Sequence, residues 1–147
     1  MKRLKTKLMF IFATSILTIS PLWASENPFI GSWELVSGKY LDGKGQWVHY
    51  SDLKLSAIKV ISAHNFSFTT MKNIGTASEP VNEFWAAGSG PYIFSDTEYT
   101  EFPQLNSFGV VDNKSFSYRY VIHGSQWQTM RVENGELKEQ ELWHKID

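Results

Sequence analysis

Apolar and polar residues alternate along most of the chain beyond residue 30. In residues 115–122 an aromatic or aliphatic side chain stands at every second position, with Ser, Arg and Val between them. A repeat of two is typical of a strand with one buried face, whereas an amphipathic helix repeats about every 3.6 residues. The pattern predicts about eight to ten short strands and no long helix. The predicted strands are residues 33–40, 46–50, 56–62, 66–70, 84–95, 98–102, 115–122, 126–132 and 137–146, with another near 109–111.

Turn-forming residues separate the predicted strands. Asn134-Gly135 is the strongest hairpin signal, because a two-residue turn needs backbone conformations that Asn and Gly adopt at low cost. Two glycines and a proline within residues 88–91 interrupt a strand pattern and predict a bulge or sharp bend. Residues 51–54 are predicted to form one helical turn. Short strands joined by such turns, without an internal repeat, predict one all-β domain that is a sandwich or a barrel.

The first 24 residues have the pattern of a secretory signal peptide. Four basic residues lie within positions 2–7, residues 8–19 are mostly apolar, and residues 21–25 hold a proline and small side chains. The apolar stretch is too short for a membrane-spanning helix. We therefore expect cleavage after Ala24, or alternatively after Ser25, a single domain over residues 25–147, and a periplasmic or secreted location. An uncleaved anchor is the alternative.

Composition narrows the function classes. Without residues 1–24 the chain has ten basic and fifteen acidic residues, a net charge of −5 with His neutral. An acidic chain without a basic stripe is a poor nucleic-acid binder. The absence of cysteine rules out a disulfide framework, so stability must come from packing. The many remaining aromatic residues favour strands around a large interior.

Three segments, in order, carry a resemblance to a known family. Gly31-Ser32-Trp33 opens the first predicted strand, residues 92–101 form a tyrosine-containing hairpin, and residues 141–146 are an aromatic closing strand. This order resembles the calycins, the group of lipocalin and fatty-acid-binding barrels, and more narrowly the bacterial secreted lipocalin-like domains. The resemblance implies a single up-and-down antiparallel β-barrel of about eight to ten strands, with room for side chains or one small ligand.

The resemblance also implies how one barrel end is closed. In this group a Trp of the first strand plugs the end, and a cation from a late strand lies across its indole face. Trp33 matches that Trp, and Gly31 lets the backbone pass close to its neighbours. The last strand offers Lys145 in place of the family's Arg, and Arg131 of the preceding strand is the other candidate.

The predicted ligand is a small, mostly apolar molecule held by aromatic side chains. Fatty-acid-binding relatives bind a carboxylate with an inward Arg and Tyr, and the fork of donors on an Arg suits that group. Arg131 shares a strand face with Trp127 and Thr129 and is the candidate, whereas Arg119 is expected to face outward. The predicted ligand-binding residues are Phe66, Phe68, Tyr92, Phe94, Tyr99, Phe116, Tyr118, Tyr120, Trp127 and Arg131.

Signals for catalysis or metal binding are weak. The four histidines lack metal-ligand spacing, and only His144, next to Trp143, is a candidate ligand to a haem or metal. Glu139 and Glu141 share a strand face and could act as paired acids, but a solvated face is expected. No cysteine nucleophile or Gly-x-Ser-x-Gly motif is present. We therefore predict no cofactor and a ligand-binding barrel; the alternatives are a small isomerase or cyclase, and an envelope protein whose filled barrel binds another protein.

The exported protein should begin near Ser25, because the basic segment, the apolar stretch and the small residues at the junction together direct signal cleavage. N-terminal sequencing of protein recovered from the periplasm or the medium measures this. A first residue of Met1 would contradict both the cleavage and the location.

Overall fold

A computed structural model describes residues 26–109 and 114–147 as an all-β fold. The expected signal peptide lies outside the described residues, as does most of the strand expected near residues 109–111. Every strand of the described residues belongs to one antiparallel sheet. The strands are β1 Gly31–Leu41, β2 Trp47–His49, β3 Leu55–Ile61, β4 Asn65–Asn73, β5 Asn82–Phe94, β6 Glu98–Glu101, β7 Leu105–Asn106, β8 Phe116–His123, β9 Gln126–Glu133 and β10 Glu136–Lys145.

Eight of these strands close into a barrel. Each pairs with the next in the order β1, β3, β4, β5, β6, β8, β9 and β10, and β10 pairs with β1 to complete the circle. β2 pairs with the end of β1, and β7 pairs with β5. The predicted up-and-down antiparallel barrel is confirmed, and the pairing of β10 with β1 joins the two edges that an open sheet would expose.

A β-bulge in β1 changes which side chains face the interior. Leu35 pairs with Trp143 of β10, but the preceding residue of β10 pairs with Ser37, so Val36 is an extra residue. An extra residue reverses the alternation beyond it. Tyr40 therefore faces the interior together with Leu35, and not the opposite face that uninterrupted alternation predicts.

A second bulge lies in β5. Thr70 of β4 pairs with Ala86, and the next residue of β4 pairs with Phe84, which leaves Trp85 as the extra residue. Residues 88–91 pair with β4 in unbroken register, so the bulge predicted among them lies instead at Trp85. Bulges re-aim side chains, and the Trp85 side chain lines the interior cavity described below.

Residues 51–54 form successive turns rather than the helical turn predicted for them. Lys54 adopts a φ of 53°, which is outside the right-handed helical region. The amide of Leu55 then donates to the carbonyl of Tyr50 at 3.0 Å, which returns the chain to β3. Within residues 26–109 and 114–147, no helix is long and apolar enough to cross a membrane.

Aromatic side chains fill one end of the barrel interior, and we call this group the plug. Its most deeply buried members are Phe29, Trp33, Phe66, Tyr99 and Trp127. The ring of Phe29, just before β1, contacts four other aromatic rings at centroid distances of 4.7 to 5.2 Å. Edge-to-face contacts of this kind add to the free energy gained from burying the rings.

Trp33 contacts residues from both ends of the barrel sequence, namely Phe29 before β1 and Lys145 at the end of β10. Its indole Nε1 donates a hydrogen bond of 2.8 Å to the Phe29 carbonyl, and its ring centroid lies 5.3 Å from that of Trp127. The Lys145 ammonium lies 5.5 Å from the Trp33 ring. A Cβ on Gly31 would lie 2.6 Å from Lys145 Cε, so glycine leaves room for this side chain. Lys145, not Arg131, is therefore the cation beside Trp33.

Replacing Trp33 with Ala should lower the free energy of unfolding by roughly 3–5 kcal/mol, because it removes a fully buried indole that the surrounding rings cannot replace. Denaturant titration measures this value, with Trp47→Ala as a matched control, since Trp47 is 39% exposed on β2. The control should lose about 1 kcal/mol or less. A similarly small loss for Trp33→Ala would contradict its role in the plug.

Candidate functional site

The barrel interior beyond the plug contains a cavity of about 330 Å³. Aromatic and aliphatic side chains form most of its wall: Leu35, Tyr40, Leu55, Ala57, Phe68, Trp85, Ala86, Pro103, Phe108, Phe116, Tyr118 and Trp143. Polar side chains form the rest: Tyr50, Lys59, Thr70, Glu101, Arg131, Glu139 and Glu141. The cavity thus combines an apolar wall with a concentrated set of charged groups.

Four of the ten predicted ligand-binding residues line this cavity, namely Phe68, Phe116, Tyr118 and Arg131. The other six are not on the cavity wall but form or contact the plug: Phe66, Tyr92, Phe94, Tyr99, Tyr120 and Trp127. Alternation along a strand shows which side chains face inward, but it does not show how deep in the barrel each one lies. These six residues therefore belong to the packed end of the barrel and not to the cavity wall.

A buried ion pair lies where the plug meets the cavity. Lys59 of β3 and Glu101 of β6 are 5% and 4% exposed, and Lys59 Nζ lies 2.7 Å from Glu101 Oε1. The ammonium also lies 5.0 Å from the Trp143 ring and 5.3 Å from the Trp127 ring, distances at which aromatic faces attract a cation. Burial alone would lower the pKa of Lys59, but the carboxylates of Glu101 and Glu141 outweigh it and raise that pKa. Lys59 therefore remains a cation inside the barrel.

Two carboxylates of β10 share one tyrosine hydroxyl on the cavity wall. The Tyr50 hydroxyl donates to Glu139 Oε1 at 2.7 Å and lies 3.3 Å from Glu141 Oε1. The other oxygen of Glu141 accepts hydrogen bonds from Trp143 Nε1 at 2.9 Å and Thr129 Oγ1 at 3.4 Å. The expectation of a solvated face for Glu139 and Glu141 is wrong, because Trp143 on the same face is buried and the whole face points inward.

Gly38 sets the position of Tyr50. The backbone amide of Tyr50 donates to the Gly38 carbonyl at 2.9 Å. A Cβ at position 38 would lie 2.3 Å from Tyr50 Cδ2, so the ring rests directly on the glycine. The bare backbone of β1 thereby lets the Tyr50 hydroxyl reach the two carboxylates.

Arg131 faces the cavity, and two of its nitrogens are already paired with protein carboxylates. Its Nε donates to Glu139 Oε2 at 2.9 Å, and another nitrogen of its guanidinium pairs with Glu133. The guanidinium also lies 5.7 Å from the Phe116 ring. Arg119 is exposed, as expected for an outward side chain. A carboxylate ligand would have to compete with two protein carboxylates for Arg131.

Glu141 is the cavity group whose charge changes near neutral pH. Burial, and then repulsion from the Glu139 carboxylate, raises the pKa of Glu141 from 4.5 to about 7. The Lys59 ammonium and the Trp143 N–H favour the ionised form but do not cancel the shift. Burial also raises the pKa of Tyr50, as do Glu141 and Glu139, so Tyr50 remains a hydroxyl donor. The site therefore holds a carboxyl group that can accept or release a proton at neutral pH.

The sequence did not point to Lys59, Glu101 or Tyr50. Lys59 lies between Ile58 and Val60, whose apolar side chains are 40% and 48% exposed on the outside of β3. Hydropathy therefore suggests the wrong inner face for this strand. The available signal was spacing, since Glu101 lies two residues after the inward-facing Tyr99 and must share its face.

None of the four histidines contributes to the site, because all four are exposed: His49, His64, His123 and His144. His144 follows the inward-facing Trp143 on β10 and so points away from the cavity. Among residues 26–109 and 114–147, no group of three or more potential ligands could hold a metal ion.

Protein stability should fall as the pH rises from about 4.5 to about 7, because the raised pKa of Glu141 means that the folded state binds its proton more tightly than the unfolded state. Glu141→Gln should remove about 2–3 kcal/mol of this loss. Urea titrations across the range measure the slope, with the exposed Glu98→Gln as control. Equal slopes in the wild type and in Glu141→Gln would contradict the raised pKa.

The fold is the feature that this protein shares with a known group of proteins. No protein-family model matches the chain, and neither the curated proteins nor the solved structures include a significant match. The closed eight-stranded antiparallel barrel is consistent with a calycin-like fold. Fold is therefore the level at which the resemblance seen in the sequence is supported.

Proposed function

We propose that the protein is an exported, lipocalin-like barrel that binds a small, mostly apolar molecule in its interior. The observation that carries the proposal is the cavity of about 330 Å³ within the closed barrel, lined mainly by aromatic and aliphatic side chains. Small-molecule sites typically have volumes of about 300–1,000 Å³ and this kind of wall. The signal-like pattern of residues 1–24 and the Gly31-Ser32-Trp33 segment support export and the lipocalin-like assignment.

The cavity wall has two kinds of surface for a ligand: apolar area for its body and a few polar groups that would orient it. Rings such as those of Phe108, Phe116 and Trp85 offer apolar surface to the body of a ligand, and burial gains roughly 25 cal/mol per Å² of apolar area. The carboxylates of Glu139 and Glu141 would orient one polar group of the ligand. This combination suits a compact molecule with one polar end.

A second candidate function is a small enzyme of the isomerase or cyclase type, and Glu141 is the observation that favours it. A carboxyl with a pKa near the working pH is suited to general acid–base catalysis, and this one lies on the cavity wall beside the Tyr50 hydroxyl. A bound molecule that the wild type alters chemically, and that Glu141→Gln leaves unchanged, would identify the enzyme. The filled barrel considered from the sequence is disfavoured by the cavity itself.

Filling the cavity should weaken ligand binding. Ala57 lies on the cavity wall, so Ala57→Phe should weaken binding of the probe 2-phenylethanol by roughly tenfold or more, because its ring would occupy space that the probe needs. Isothermal titration calorimetry measures the affinity. Ala63→Phe, at an exposed turn position, is the matched control and should bind as the wild type does.

Two further measurements keep this test decisive. If Ala57→Phe does not fold, Ala86→Phe fills the cavity from β5. Native mass spectrometry of the wild type, purified without denaturation from its own cells, should show the mass of a bound small molecule. Wild-type protein that carries no small molecule and binds no probe would contradict the proposed function.

A further inference from the structure

We propose that the cavity selects a ligand with a cationic, amine-type group, which Glu141 and the Tyr118 hydroxyl bind while aromatic side chains enclose its apolar body. The inference rests on the proposed ligand-binding function and specifies its ligand class. It replaces the carboxylate considered from the sequence with a group of opposite charge.

The cavity charges are paired so that one carboxylate is left without a cation. Lys59 pairs with Glu101, and Arg131 pairs with Glu139. Within the described part of the chain, no Lys, Arg or His nitrogen lies within 4.0 Å of a Glu141 oxygen. Glu141 receives hydrogen bonds from neutral donors alone. A ligand cation would supply the missing counter-charge.

Tyr118 is a second, independent group directed at a ligand. Its side chain lines the cavity and is only 9% exposed, yet its hydroxyl makes no hydrogen bond to any other described residue. Among the described residues, the fully buried side-chain atoms that lack a partner are Tyr99 Oη and Trp127 Nε1, so the Tyr118 hydroxyl is open to the cavity. Burial, followed by the Glu139 carboxylate, raises the pKa of Tyr118, so the group stays a neutral hydroxyl that can accept a hydrogen bond from an ammonium.

The barrel already binds one ammonium in the manner proposed for the ligand. The Lys59 ammonium is held by a carboxylate at 2.7 Å and by the faces of Trp143 and Trp127. The cavity repeats these elements around Glu141, with Tyr40, Tyr50 and Trp143 on its wall. Aromatic faces attract cations, and the attraction grows when the cation is removed from water.

A ligand that carries a carboxylate would bind less favourably in this cavity than an amine. Arg131 is already paired with Glu139 and Glu133, so a ligand carboxylate would compete with two protein carboxylates for it. It would also face Glu139 and Glu141, and like charges in a shared site repel strongly. Selectivity then comes from repulsion of acids as well as from attraction of amines.

The proposal has a specific pH dependence. The titratable and charged groups that face Glu141 are Lys59, Glu101, Arg131, Glu139, Tyr50 and Tyr118. Lys59, Arg131 and both tyrosines keep their protons because their pKa values are raised, and Glu101 and Glu139 are held in ion pairs. The pKa of Glu141 is about 7, so its charge changes near neutral pH, and amine affinity should rise as it ionises.

The test compares three probes with one ring and different polar ends: 2-phenylethylamine, 2-phenylethanol and phenylacetate. Calorimetry with the wild-type protein at about pH 8 and about pH 6 brackets the pKa of Glu141. At the higher pH the amine should bind roughly tenfold or more tightly than the alcohol, and phenylacetate should bind most weakly. The amine preference should shrink at the lower pH. This pH series needs no variant and so remains valid if a substitution disturbs folding.

Two pairs of variants locate the effect. Glu141→Gln should remove the amine preference and keep alcohol binding, while the exposed Glu98→Gln should change neither. Tyr118→Phe should weaken amine binding several-fold. Its matched control is Tyr120→Phe, because the Tyr120 hydroxyl donates to the Ser95 carbonyl outside the cavity; that variant should bind as the wild type does.

The results distinguish failure of the amine proposal from failure of the ligand-binding proposal on which it rests. Equal affinity for amine and alcohol, tighter binding of phenylacetate, or an amine preference unchanged in Glu141→Gln would overturn the amine proposal and leave the ligand-binding barrel standing. Failure of all three probes, together with a ligand-free native mass spectrum, would overturn both.

Discussion

The buried ion pair of Lys59 and Glu101 is the constraint around which the barrel interior is arranged. Removing two charges from water costs several kcal/mol for each ion, which only close contact and further favourable partners offset. Here the partners are a direct contact of 2.7 Å and the faces of two Trp rings. The pair joins β3 to β6 across the interior and lies between the plug on one side and the cavity on the other.

The change from packed rings to a polar cavity follows from that arrangement. The Lys59 ammonium partly stabilises ionised Glu141, while burial and Glu139 oppose ionisation, so Glu141 is balanced near neutrality. A carboxyl poised in this way can serve either ligand selection or proton transfer. The two candidate functions therefore use the same residue and differ in whether the bound molecule changes.

The sequence predicted the barrel better than it predicted the site. Strand alternation and turn residues depend on local rules, so the all-β fold and most strand positions followed from them. The bulge at Val36 changes the inner face of β1 and has no clear local signal, which is why the inward position of Tyr40 was missed. The charged residues were missed for another reason: a hydropathy pattern assigns Lys59 and Glu141 to solvent, and only their partners across the barrel make burial tolerable.

The contact between Gly38 and the Tyr50 ring has a consequence for how the cavity can vary. A ring supported by bare backbone moves whenever that backbone acquires a side chain, and the nearest atom is only 2.3 Å from where a Cβ would be. Gly38 is not on the cavity wall, yet it determines the position of a wall residue. A larger residue at position 38 would shift the Tyr50 hydroxyl away from Glu139 and Glu141. The shape of the cavity would then change although every wall residue stays the same. Variation in ligand preference could arise in this fold by exchanging one glycine on β1.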